Sequence, residues 1–122
     1  YFYVMKYDEA KIGLSRDNFV EAINAEGFYL RGGYLKPIYL EPMFKQKICF
    51  GKSGFPFTAN SRNNEIRYEK GLCPVAERLN DKEVLLTNII YPPITVGDMD
   101  GFVKSIKKVI YHAKEISQHL EA

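Results

Sequence analysis

The stretch Glu83-Val84-Leu85-Leu86-Thr87-Asn88-Ile89-Ile90-Tyr91-Pro92-Pro93-Ile94-Thr95-Val96-Gly97-Asp98 decides the fold. Its first nine residues are rich in aliphatic and β-branched side chains and read as a strand. Pro92-Pro93 ends that strand. Thr95 and Asp98 have the spacing of a capping box, a hydroxyl at the cap and a carboxylate three residues on. The helix they start carries Met99, Phe102, Val103, Ile106, Val109, Ile110, Ala113, Ile116 and Leu120 on one stripe. Lys104, Lys107, Lys108, Lys114 and Glu115 occupy its other faces, the pattern of a helix with one buried side.

Working back from this unit, Tyr1 to Asp8 is an aromatic, β-branched run that reads as another strand. Ser15 is placed to cap a helix with Phe19, Val20 and Ile23 on its apolar face, closed by Gly27. Phe28-Tyr29-Leu30 predicts a short strand halted by Gly32-Gly33. From Gly32 to about Leu72 neither helical nor strand period survives, while glycines, prolines and the polar cluster Asn60-Ser61-Arg62-Asn63-Asn64 accumulate. The same segment holds Tyr34, Tyr39, Phe44, Phe50, Phe55, Phe57 and Tyr68, rings that need a surface to bury against, so it reads as a long functional loop. Pro74 suits the first position of a helix, where its missing N–H costs nothing. Val75, Ala76 and Leu79 form that helix's expected apolar face. The order predicts an α+β fold: a small, mostly antiparallel sheet with helices on one face and a long irregular loop, in a single domain spanning 1–122.

Composition narrows function by exclusion. The chain has 122 residues, 46% hydrophobic and 26% charged, which is a soluble, core-forming balance and not a disordered one. Its net charge of +2 argues against a nucleic-acid partner or a polybasic membrane surface. No apolar run approaches the roughly 18 residues of a membrane span. The two cysteines, Cys49 and Cys73, form no CxxC or Cys/His cluster and are expected as buried thiols in a reducing, cytoplasmic compartment. The chain opens at Tyr1 within an aromatic run, and the expectation is a piece of a longer protein.

Catalytic chemistry is sparse. Arg31-Gly32-Gly33-Tyr34 lacks both Walker and dinucleotide spacing and reads as a strand-ending turn needing positive φ. His112 and His119 can share a helix face, but no further ligand completes a metal set, and capping or exposed roles fit them. Ser53 and Ser61 lack the context of a nucleophile elbow. Asp98 and Asp100 sit at a helix start, where negative charge is favourable by roughly 0.3–1 kcal/mol without any catalytic role. Glu77 and Arg78 read as ordinary first-turn charges. The aromatic strand Tyr1-Phe2-Tyr3 lacks the glycine–aromatic signature of an RNA-stacking platform.

Three stretches, in order, resemble the carboxy-terminal small domain of the DegT/DnrJ/StrS aminotransferases. They are Tyr34-Leu35-Lys36-Pro37-Ile38-Tyr39-Leu40-Glu41-Pro42-Met43-Phe44, then Cys73-Pro74-Val75-Ala76-Glu77-Arg78, then Tyr91-Pro92-Pro93-Ile94-Thr95 through Asp98-Met99-Asp100 and the final helix. Ser15-Arg16-Asp17 through Gly27 is similar to the family's opening helix. The resemblance implies the small domain of a fold-type I pyridoxal-phosphate enzyme. It implies a parent that transfers an amino group from a glutamate-type donor to a keto sugar, nucleotide-linked, or to a cyclitol. The aromatic loop is then expected to reach the enzyme's own large domain and a second subunit of a homodimer.

In this resemblance Tyr39 occupies a position usually held by histidine. Tyr39 and Tyr34 are the expected substrate or interface contacts, Pro37 shapes the loop, and Cys73 to Glu77 is structural. A phenol still donates a hydrogen bond to a hydroxyl or phosphate, but does not titrate near neutral pH as imidazole does. The Schiff-base lysine and the phosphate-binding residues belong to the large domain. The chain is therefore expected to hold no catalytic residue, no metal and no pyridoxal phosphate of its own, and to be inactive alone. Gly51 to Glu69 is expected to be poorly ordered or held by another copy. The residues by themselves also fit a free-standing α+β module for a small ligand, or a dimerisation scaffold.

Overall fold

The computed structural model describes residues 1–59 and 65–120. Among them are a three-stranded antiparallel sheet and six α-helices, an α+β fold. The chain divides into two compact units, 1–34 with 81–122 and 35–80. The polar cluster 60–64 lies outside the described residues.

The first unit is built on a central strand. β3 (Val84–Thr87) lies between β1 (Tyr3–Lys6) and β2 (Arg31–Gly32), pairing antiparallel with both. Tyr3 faces Thr87 and Lys6 faces Val84 on one side, and Arg31 faces Leu86 on the other. Leu85, Leu86 and Thr87 are all buried, so both pleat faces of this central strand are covered. The core gathers Tyr7, Leu14, Phe19, Ile23, Leu30 and Leu85 with Phe102, Val109 and Ala113 of the last helices. Each buried Leu, Ile, Val or Phe among them contributes roughly 1.5–3 kcal/mol by leaving water.

Helix α2 (Arg16–Ala25) starts where Ser15 accepts from the Asn18 N–H at 3.2 Å, as expected. The second strand falls later than predicted, at Arg31–Gly32 rather than Phe28–Leu30. The reason is local. The Asn24 amide donates to the Leu30 carbonyl and accepts from the Leu30 N–H, both at 2.9 Å. It thereby occupies the two groups a strand partner would use. Gly32 lies against Arg16: a Cβ there would sit 2.6 Å from the guanidinium Nε. Gly33 turns the chain with φ +64°, the positive φ expected of this turn.

A helix not anticipated, α1 (Glu9–Ile12), follows β1, with Asp8 accepting from the Lys11 N–H at 3.3 Å. At the other end the capping box forms: Thr95 N–H donates to Asp98 Oδ2 at 2.8 Å and Asp98 N–H to Thr95 Oγ1 at 3.3 Å. The single long helix expected after it is two, α5 (Val96–Tyr111) and α6 (Ala113–Leu120), broken at His112. His112 closes α5, its Nδ1 lying 2.8 Å from the Glu115 carboxylate. No helix among the described residues is long and apolar enough to cross a membrane.

The second unit replaces most of the long loop expected from Gly32 to Leu72. It contains a 3₁₀ turn (Ile38–Leu40), α3 (Pro42–Lys45) and α4 (Pro74–Arg78). Phe44, Phe57 and Tyr68 form a ring cluster with centroids 5.6 to 6.4 Å apart. Phe57 and Tyr68, inside the stretch expected to be poorly ordered or held by another copy, pack on Phe44 of their own unit. A turn of π-helix, Leu79–Glu83, leads into β3.

Candidate functional site

The second unit is organised around a buried carboxylate. Pro74 takes the first position of α4, as its ring predicts, which sets Cys73 at the cap and Glu77 one turn on. Glu77 is buried, while Val75, on the helix's expected apolar face, is exposed. The short helix turns its charge inward, and the reading of Glu77 as an ordinary first-turn charge is corrected. Its Oε1 accepts the Tyr39 hydroxyl, the Gly71 N–H at 2.7 Å and the Cys73 N–H at 3.3 Å. Gly71 presents its N–H from φ +103°, a conformation that glycine adopts without strain.

Tyr39 reaches this carboxylate because Pro37 precedes the 3₁₀ turn Ile38–Leu40, whose Leu40 N–H bonds back to the Pro37 carbonyl at 2.8 Å. Its side chain is 8% exposed. The two partners shift in opposite directions. The Tyr39 hydroxyl, then the backbone N–H groups, hold Glu77 below the usual carboxylate range against the effect of burial. Burial, then the hydrogen bond and charge of Glu77, push Tyr39 up to about 12. At neutral pH a protonated phenol therefore donates to an ionised carboxylate, the stronger class of hydrogen bond.

Tyr34 belongs to the first unit and is 46% exposed. Its hydroxyl lies 3.3 Å from that of Tyr1, and its ring meets Phe2 edge-on at 5.8 Å. The Arg31 guanidinium donates to the Tyr34 carbonyl at 2.6 Å and lies 5.8 Å from the ring centroid. The two tyrosines named from sequence thus stand in different settings, Tyr39 buried on Glu77 and Tyr34 open beside a cation. Glu77 is not legible as a site residue from sequence because its side-chain partner, Tyr39, lies 38 residues away, and only the adjoining Cys73-Pro74 hints at it.

The thiols also depart from expectation: Cys73 is exposed and Cys49 half-buried. No group of three metal-ligating side chains occurs among the described residues. A Schiff-base lysine works from a desolvated pocket. Every lysine among the described residues is exposed or half-buried.

Comparison of the chain with protein-family models, with curated proteins and with solved structures found no match.

Proposed function

We propose that the chain is the substrate-side small domain of a pyridoxal-phosphate aminotransferase acting on a keto sugar, nucleotide-linked, or on a cyclitol. The observation that carries this reading is the bond between Tyr39 and Glu77. It joins two of the three stretches on which the resemblance rests, and gives both a common structural purpose. The small antiparallel sheet with its helices agrees with the expected fold class.

In this reading the cofactor, its Schiff-base lysine and the amino transfer belong to a large domain outside these 122 residues. The cytoplasmic parent is a homodimer using a glutamate-type donor. Tyr39 is a positioning residue that fixes the turn after Pro37. Tyr34 is the contact residue: its exposed phenol and the neighbouring Arg31 are hydrogen-bond donors for hydroxyl or phosphate oxygens of the substrate.

The test is to read the gene upstream of Tyr1 and to assay the whole product. A cofactor domain with a lysine, pyridoxal-phosphate absorbance, transfer from glutamate to a keto sugar, and a raised KM in Tyr34→Phe are the expected results. A reading frame beginning just before Tyr1 would overturn the proposal in favour of a free-standing module. Cofactor binding and turnover by the 122 residues alone would overturn it as well.

A further inference from the structure

The segment between β3 and α5 has no task in the aminotransferase reading, yet it walls a hollow of the first unit. The hollow measures about 420 Å³, within the roughly 300–1,000 Å³ of small-ligand sites. Phe28, Tyr29 and Tyr91 line it, together with Pro93, Asn88 and Asp98. Each wall has its own anchor. The Thr87 hydroxyl donates to the Tyr29 carbonyl at 2.7 Å and ties Tyr29 to the end of β3. The Ile94 N–H bonds to the Tyr91 carbonyl at 3.2 Å, closing the turn through Pro92-Pro93. Phe28 packs its ring on Phe102 with centroids 5.6 Å apart, and the capping box holds Asp98. Walls fixed in advance lose little freedom when a ligand enters.

Charge narrows what such a hollow takes. Among the described residues no lysine, arginine or histidine lines it, and Asp98 is its one acidic side chain. The Thr95 hydroxyl, then the Thr95 N–H, hold the Asp98 carboxyl below its usual range, so it is ionised at neutral pH. Asp98 stands in the first turn of α5, where the partial positive charge of the helix end offsets part of its own. A cation therefore needs a further attraction, and aromatic faces supply it through their negative quadrupole. A primary ammonium is strongly hydrated and has three N–H groups to satisfy. A quaternary ammonium has none, and suits a wall of rings and prolines.

We propose that the hollow beside the start of α5 binds a quaternary ammonium group, with Tyr29 and Tyr91 as its cation-binding rings and Asp98 as its counter-charge. Choline-type solutes and trimethylated lysine side chains share this chemistry. The inference stands apart from the aminotransferase reading, since a free-standing module would present the same hollow.

An NMR titration of the 122-residue chain tests it. The probes are choline, a short peptide carrying trimethyllysine, and the uncharged analogue of choline in which carbon replaces nitrogen. Choline or the peptide is expected to shift the ring signals of Tyr29 and Tyr91, and to bind about threefold or more tightly than the uncharged analogue of the same shape. Tighter binding of choline identifies a small solute as the source of the group; tighter binding of the peptide identifies a protein side chain. Tyr29→Leu and Tyr91→Leu keep an apolar wall and remove a π-face, so each should weaken the charged probe about twofold or more and leave the uncharged analogue unchanged. Both tyrosines are 47% exposed, so neither variant opens the core, and unchanged circular dichroism confirms folding. Binding of neither charged probe, equal binding of choline and its uncharged analogue, or unchanged affinity in both variants would overturn the proposal.

Discussion

The two units of this chain are held together by different means. In the first, Ile23 is 0% exposed and sits among aliphatic and aromatic neighbours drawn from helices and a strand. In the second, a carboxylate is buried and accepts three hydrogen bonds, and the buried apolar side chains among the described residues are Tyr39 and Phe57. The first unit is held by the hydrophobic effect acting on one buried cluster. The second has 46 residues by its bounds, too few to seal a core easily, and hydrogen bonds to one anion order what burial cannot.

Substitutions break or sharpen this contrast. The largest effect is expected from Ile23→Ala, which opens a cavity in the first unit and should cost about 2–5 kcal/mol in urea unfolding. A loss under about 1 kcal/mol would mean that this core is looser than its burial implies. Next comes Asn24→Ala. It leaves the buried Leu30 backbone without two partners, with an expected cost of about 1–3 kcal/mol and earlier exchange of the Leu30 amide. Thr95→Ala removes the hydroxyl from the α5 cap and should cost about 1 kcal/mol, while Thr95→Ser retains most of it.

The smallest effect on the melting of the whole chain is expected from Tyr39→Phe, whose consequence is confined to the second unit. It should instead appear in a pH profile. Glu77 is held below its ordinary range, so the stability it contributes is present above the unfolded carboxylate pKa and is lost as pH falls through the folded value. Tyr39 is raised to about 12, so its contribution holds below the ordinary phenol value and is lost as pH climbs through about 12. Tyr39→Phe should reduce the alkaline limb to the part that Tyr7, also pushed up to about 12 by burial, contributes, and shift the acid limb upward, followed by the amide signals of Gly71 and Cys73. An unchanged profile would detach both limbs from this pair.

The difference between the units is also a difference in how each can be read from sequence. Helix α2 was legible because Ser15, the apolar spacing of Phe19 and Ile23, and Gly27 all report locally on one element. The same is true of the Thr95–Asp98 cap. The break at His112 was not legible, since the apolar stripe runs through it to Ala113 and Ile116. The shifted second strand was missed because an amide six residues away satisfies Leu30, which no period records. Within the second unit, Pro42 stands at the start of α3 as Pro74 does in α4, so one more helix was within reach of the same argument. Glu77 was not: Tyr39 lies 38 residues away, and a carboxylate early in a helix has an adequate local explanation without it.

The central claim is that Glu77 gathers Tyr39, Gly71 and Cys73 into one ordered site. Amide hydrogen exchange at Gly71 tests it most directly, comparing the native chain with Glu77→Ala at neutral pH. Protection of the Gly71 amide in the native chain, lost in the variant while the Ile23 amide stays protected, is the result expected. A Gly71 amide that exchanges equally fast in both proteins would contradict it.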